Sequence, residues 1–533
     1  MSEGFQHRML DVPQRGWERV WLWASERVNP IVIKEVRQSL KSKQFTISFG
    51  LTLIAAVGWT LIAISMMVPR IFYMPAGVPL LAGYFCILAT PLMIIIPLVA
   101  FLSLTTETED STFELLSISA LSAQQIVYGK MASACVQILL YLSALAPSIV
   151  LTYLLGGVGL SSILLLLGWT VILSIAETAL GMLLGAIART RMLQVIAAVV
   201  LLGGLFWSMG MWLTFVIGYG LPSMPVPGRD EILVSAGLAS VLAAIVTIAL
   251  RAAAAAIDFP SENHSTPLRR RILALLSLVC FWTLVLSLMS QQLQVAQMML
   301  IPVFVPILVI GTLMTGERGI ISPRAQRSLP KSFMGRVFLT WFYPGAGLGY
   351  VFVVCIFAAF VATIAALELA FEGEFTDRSG RNTSVLVLGL VLLCYLAFFV
   401  GVNRLLMMLV PRQQPSRMVG AVAMMAAILL LSHLVPLFVA YFANDYREFP
   451  YDWHQALNII WTVREIFDNS SVDLGASMKI ITLSAIGIFG LNLLLCTRDV
   501  MLVRVGLPPR VREEELDQQP TPPPAIDPFD DGR

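Results

Sequence analysis

Twelve blocks of about 20–27 predominantly apolar residues fill most of this chain. They fall at about 45–68, 78–104, 131–155, 161–187, 192–219, 232–257, 272–290, 297–315, 346–367, 384–410, 418–443 and 476–497. As a helix, each is long enough to cross a hydrocarbon core of ~30 Å. A chain of 533 residues would otherwise be read as several soluble domains, but 57% of it is apolar and only 13% charged. An ordinary globular chain is roughly 25% charged, so too little polar surface exists here to cover water-soluble domains. Backbone inside lipid has to satisfy its own hydrogen bonds, which leaves helices as the solution for segments of this length. The fold class expected is therefore all-α, a polytopic integral membrane helical bundle of about 12 transmembrane helices.

The connections test this segmentation. With the N-terminus placed inside, 28 of the 35 Lys and Arg residues fall on inner segments. The outer connections hold Arg70, Arg229, Arg378, Arg381, Arg447, Arg464 and Lys479. A bias that alternates loop after loop follows the positive-inside rule and would not survive a missed or invented helix. Both termini are then cytoplasmic. The first 44 residues lack an apolar core and a small-residue cleavage site, so no secretory signal peptide is read there. The six cysteines lie singly within apolar runs, with neither metal-ligand nor disulfide spacing.

Three pieces do not span. Residues 1–44 read as a cytoplasmic or interfacial amphipathic segment, with a two-part helix over 15–43 broken at Asn29-Pro30. Proline disfavours the α region in the residue before it and suits the first turn of a new helix. Beyond the break, Lys34, Arg37 and Lys41 share one face and Val32, Val36 and Leu40 another, as in a helix lying on lipid headgroups. The outer loop 444–475 is the largest extracytoplasmic piece and too short for a domain. The tail 498–533, with Glu513-Glu514-Glu515 and Pro522-Pro523-Pro524, reads as disordered.

The most informative connection joins the second and third blocks, at residues 105–130. It carries four carboxylates and one lysine, against the positive-inside trend, and two capping-box patterns, Ser111…Glu114 and Ser122…Gln125. These predict two short helices joined by a turn. A stiffened acidic loop on the cytoplasmic side is suited to meeting a protein, with Phe113, Leu115 and Leu116 as an apolar anchor for a groove.

The order of an acidic cluster, then Ser111-Thr112-x-Glu114-Leu115-Leu116, then Leu121-Ser122, then Ile126-Val127-x-Gly129-Lys130 resembles the permeases of ABC-2 type ABC transporters. Asn29-Pro30-Ile31-Val32-x-Lys34-Glu35-Val36-Arg37 is similar to that family's connecting helix before its first span. The resemblance covers about residues 29–257. Ala120 and Ala123 stand where the family commonly has prolines, and Gln124-Gln125 where it often has Arg-Glu. It implies that this loop is the coupling segment that docks on a cytoplasmic ABC ATPase subunit. Glu109, Thr112, Glu114, Leu115, Leu116, Leu121, Gly129 and Lys130 are then the interface positions. ATP and Mg²⁺ would bind that partner, with no cofactor and no catalytic residue on this chain. The bacterial cytoplasmic (inner) membrane is the implied location, and export the implied direction.

The domain organisation expected is a six-span permease unit at 45–257, a cytoplasmic linker at 258–271 and a second six-span unit at 272–497. In the second unit the loop 316–338 holds the same ordinal place as the coupling loop. Leu104-x-Thr106-x-x-Glu109 parallels Leu313-x-Thr315-x-Glu317 with a one-residue gap. Two permease-like halves in one chain would bind two ATPase subunits, whereas an accessory second half would require a homodimer.

Other polar residues compete for attention. Glu177 lies near the middle of the fourth block, and an intramembrane carboxylate is by default a candidate for the translocation path; a protonated Glu177 bonded to Ser174 or to a neighbouring helix is the structural alternative. His433 and Asn403-Arg404 are weaker candidates, since Arg404 can snorkel inward. Gly345-x-Gly347-x-Gly349 reads as close helix packing rather than a phosphate loop, and no Gly-x4-Gly-Lys-Ser/Thr occurs anywhere. No metal-binding pattern and no nucleic-acid-binding feature is present among the four histidines and the basic residues. Two other functions compete with the permease reading. One is a polytopic enzyme acting on lipid-linked substrates through Asp445, Asp452, His454 and Asp468 of the outer loop; the other is a proton-coupled carrier using Glu177.

Single cysteines beside Arg189, Arg270, Arg324 and Arg412 should react with a membrane-impermeant maleimide only from the cytoplasm. Those beside Arg229, Glu372 and Asp452 should react only from outside. One loop on the opposite side would mean a miscounted span.

Overall fold

The structure, a computed structural model, describes residues 30–109, 122–221, 228–258, 263–317, 339–371, 385–411, 417–443, 451–468 and 475–504. Among them there are helices and turns and no strand. Twelve helices are long and apolar enough to cross a membrane, as the block pattern predicts.

The chain divides into two compact units, Met1–Phe259 and Pro260–Arg533. The first contains a leading helix, Pro30–Leu40, then spans 1 to 6: Lys43–Met67, Gly77–Glu107, Ala123–Leu154, Leu160–Ile187, Arg191–Gly220 and Arg229–Ile257. The second contains spans 7 to 12: Ser265–Ser290, Gln294–Thr315, Ala346–Phe371, Val385–Leu409, Arg417–Phe442 and Gly475–Thr497. Two boundaries differ from expectation. Span 7 begins at Ser265, so half of the expected linker 258–271 is helix. Ser122 and Gln125 do form a reciprocal capping box, but it opens the 32-residue helix of span 3 rather than a separate short one. The other box, at Ser111…Glu114, lies outside the described residues.

The leading helix behaves as its pattern requires. Pro30 occupies its first position, where a missing N–H costs nothing. Lys34, Arg37 and Lys41 are exposed, while Val32, Val36 and Leu40 are half-buried against span 3. Ser42 caps span 1 by accepting from the Phe45 amide at 3.2 Å, so only two residues separate the two helices.

Span 2 is interrupted by a π turn over Pro91–Ile95, where the Ile96 amide donates to the Pro91 carbonyl instead of Leu92. Pro97 has no amide to offer in its place. The Leu92 carbonyl thus loses its backbone donor, and Ser174 of span 4 supplies the missing hydrogen bond at 2.6 Å. Two glycines bring spans 2 and 4 close enough for this. A Cβ on Gly181 would lie 2.7 Å from the Pro97 carbonyl oxygen, and one on Gly185 would lie 2.7 Å from that of Phe101. Lipid tails are as apolar as leucine, so helices associate by close contact at small residues, and Gly181-x-x-x-Gly185 is such a seam.

Within each unit the same spans are neighbours. In the first, span 1 meets 2 and 3, span 2 meets 3, 4 and 5, span 3 meets 4 and 6, and span 4 meets 5 and 6. Spans 7 to 12 repeat that set in the same order. The two units are therefore copies of one helix arrangement.

Gly181→Ala and Gly185→Ala should each destabilise the protein, by about 1–3 kcal/mol, the usual cost of overpacking. Gly168→Ala, on the same helix with open space around it, should be neutral. Thermal unfolding of the three variants in one detergent checks this.

Candidate functional site: a cavity and an ion cluster at the start of the first unit

Lys130 is the centre of the most concentrated polar chemistry in the first unit. It lies two turns into span 3 and is only 5% exposed. Its ammonium reaches Glu107 of span 2 at 2.7 Å, Ser103 of span 2 at 2.7 Å and Glu35 of the leading helix at 3.4 Å. An ammonium has three N–H bonds, and all three are directed to these partners. One side chain thus joins three helices at the end from which the loop 110–121 departs. Ser39 adds a second tie from the leading helix, with its hydroxyl 3.0 Å from that of Ser133 in span 3.

Above this cluster a cavity of about 840 Å³ opens between the leading helix and spans 1, 2 and 3. Ile95, Val99 and Leu102 of span 2 and Phe45 of span 1 give it apolar walls. Polar groups line its inner side: the Ser48 and Tyr141 hydroxyls, bonded to each other at 2.6 Å, and the Gln137 amide. Phe45 stands edge-on to the Tyr141 ring, 5.8 Å between centroids.

The second unit has a cluster at the corresponding end of its second span. Arg269 of span 7 is fully buried and paired with Glu317, just beyond span 8. Its Nη1 also donates to the Trp341 carbonyl at 2.8 Å and the Tyr343 carbonyl at 2.6 Å, in the segment entering span 9. Glu317 accepts from the Gly345 amide at 3.2 Å and from Ser265 at 3.0 Å. Gly345 has φ +148°, a conformation other residues rarely adopt, and a Cβ on Gly349 would stand 3.0 Å from Arg269 Nη2. Those two glycines make room for the clasp, which gives a physical reason for the glycine run. Burial raises the Tyr343 phenol pKa, against an opposing pull from Arg270. A second alignment of the internal parallel, Thr105-x-Glu107 with Thr315-x-Glu317, needs no gap, and both threonines are buried.

The expected interface positions divide three ways. Thr112, Phe113, Glu114, Leu115, Leu116 and Leu121 lie outside the described residues. Glu109 ends the helix of span 2. Gly129 and Lys130 are buried, Lys130 within the ion cluster. Glu177 is 7% exposed and accepts from Ser208 of span 5, while Ser174 is committed to Leu92. Its second oxygen, Oε2, is buried with no hydrogen-bond partner. Arg404 does not snorkel: it is buried in span 10 and donates to the Asn492 carbonyl at 2.8 Å and side-chain oxygen at 2.9 Å in span 12. Asn403 beside it donates to Thr315 at 2.8 Å. His433 pairs with Asn458 at 3.0 Å. Between spans 11 and 12 Asp452 caps the turn Trp453–Gln455 and stands 3.6 Å from His454, Asp445 lies outside the described residues, and a short helix covers Ile459–Asp468. Among the described residues no group of three His, Cys, Asp or Glu could hold a metal ion. Sequence reading missed Glu35, Ser103, Glu107 and Gln137. The only signal was a carboxylate just beyond the end of an apolar block, with a lysine 23 residues later.

The fold and these buried polar pairs define a polytopic helical integral membrane protein. No family model, curated protein or solved structure matches the chain.

Lys130→Met leaves the two carboxylates without their cation. Breaking a buried pair from one side costs about 3–5 kcal/mol, and the lower end applies because the Glu107 side chain is 24% exposed. Lys130→Met with Glu107→Gln should recover most of that loss. A double-mutant cycle on thermal stability checks the coupling, and additive losses would mean the pair contributes nothing.

Proposed function

We propose that this chain is the membrane-spanning subunit of an ATP-driven transporter, an exporter, with both units built as permease halves and hydrolysis on separate cytoplasmic ATPase subunits. The observation that carries the reading is where the coupling-like loop is anchored. Residues 110–121 leave span 2 just after Glu107 and enter span 3 just before Lys130. Those two residues are bonded to each other and, through Lys130, to the leading helix. A push on the loop is therefore delivered to three helices at once, as a coupling segment requires. Repetition of the helix arrangement supports two such inputs in one chain, one of them the loop 318–338. Parallel repeats of this kind are a recurrent plan of transporters. The chain would reside in a bacterial cytoplasmic membrane with both termini inside.

Phe113→Ala with Leu116→Ala should release the ATPase from the solubilised complex. Truncating interface anchors costs over about 1–2 kcal/mol each, or 5- to 30-fold in affinity. Native mass measurement should give two ATPase subunits per copy of this chain. Two copies of each would make the second unit accessory. Transport that follows a pH gradient without ATP and is lost in Glu177→Gln would replace the reading with a proton-coupled carrier.

A further inference from the structure

We infer that the cavity of the first unit is a binding site for an uncharged amphiphile, one with a hydroxyl- or amide-bearing head and an aliphatic tail. Its volume of about 840 Å³ lies in the range of sites that enclose most of a small ligand. The lining carries two cations, Lys34 and Lys130, and two carboxylates, Glu35 and Glu107, so its formal charges cancel. Nor is the buried ammonium available to a ligand, since Glu107, Ser103 and Glu35 take its three hydrogens. Lys130 and its two carboxylates close the floor as an ionic network, and the other cation, Lys34, is an exposed residue of the leading helix.

What remains for recognition is neutral. Gln137 lies seven residues along span 3 from Lys130, ~10 Å at the helical rise. It is nine-tenths buried, faces the cavity and makes no side-chain hydrogen bond within the described residues. Its amide faces the cavity, where it can bond to whatever occupies that space. Its two N–H donors and one carbonyl acceptor match a hydroxyl or amide group, which gives and takes a hydrogen bond, better than an anion or a cation. Tyr141 is four residues further along the same face, its phenol held by Ser48. Opposite stand Val99 and Leu102, which offer nothing but apolar surface to a tail. The inference concerns binding alone and goes beyond the transporter reading, because no ATPase enters the argument.

The test uses the full-length chain, purified into nanodiscs without an ATPase. Three photoreactive probes of one alkyl chain length would be compared: an alkyl glucoside, an alkyl phosphate and an alkyl trimethylammonium. The glucoside should crosslink to the wall around Val99, Leu102 and Tyr141 and be displaced by unlabelled alkyl glucoside. Gln137→Leu should lower its apparent affinity about 5-fold, the loss of roughly one neutral hydrogen bond, and Gln137→Asn should lie between. Leu102→Trp, which fills the cavity from a half-exposed position, should abolish saturable labelling. Equal labelling by either charged probe would overturn the inference, as would labelling that Gln137→Leu and Leu102→Trp leave unchanged. Because the assay contains no ATPase, its failure leaves the transporter reading standing, and loss of ATPase binding would leave this site standing.

Discussion

A polar side chain inside a bilayer has no water to fall back on, and the bonds that matter most in this protein place such a side chain against a partner on another helix. Ser174 completes the Leu92 carbonyl that a π turn and Pro97 leave without a donor. Trp212 of span 5 donates to Thr170 of span 4 at 3.1 Å. In the second unit Tyr350 donates to the Ala397 carbonyl at 2.8 Å, Asn403 to Thr315, and Arg404 to Asn492. Each such bond is worth only about 0.6 kcal/mol on average between membrane helices. Their leverage is geometric: apolar surface alone fixes neither the rotation nor the height of a helix in lipid, whereas a donor and an acceptor must meet at one register.

That constraint explains which parts of the architecture could be read from the chain. Blocks of apolar residues mark the spans because spanning length is a property of composition. Ends are harder. Span 3 begins at Ala123 rather than near 131 because the capping box at Ser122 continues directly into it, and hydropathy does not register a polar first turn. Span 7 begins at Ser265 although Arg269, Arg270 and Arg271 follow, because Arg269 is neutralised by Glu317 and three carbonyls instead of by water.

Partners were illegible for a related reason. In a soluble helix the polar face points to solvent and reveals its rotation; here the lipid-facing and packed faces are equally apolar. Nothing local tells that Glu177 meets Ser208, 31 residues away, instead of Ser174 on its own helix. Nor does anything local show that Lys130 turns inward to Glu107 and Glu35. The leading helix was legible because it has a charged face and an apolar one, and the described side chains follow it. The acidic character of the loop was legible too, but part of that charge is internal: Glu107 belongs to the ion cluster.

The two units share one set of helix neighbours and solve the end of their second span differently. Each puts a carboxylate there, Glu107 in one and Glu317 in the other, and each pairs it with a buried cation. In the first unit that cation comes from span 3, and a two-residue hinge between the leading helix and span 1 leaves a cavity above the pair. In the second it comes from span 7 and reaches the carbonyls of Trp341, Tyr343 and Gly345. A guanidinium has five donors in a planar fork and can gather several carbonyls; an ammonium with three is exhausted by two carboxylates and a hydroxyl. The choice of Arg over Lys thus ties an additional chain segment to the second unit. The same choice reversed leaves the first unit with its polar floor complete and the space above it open.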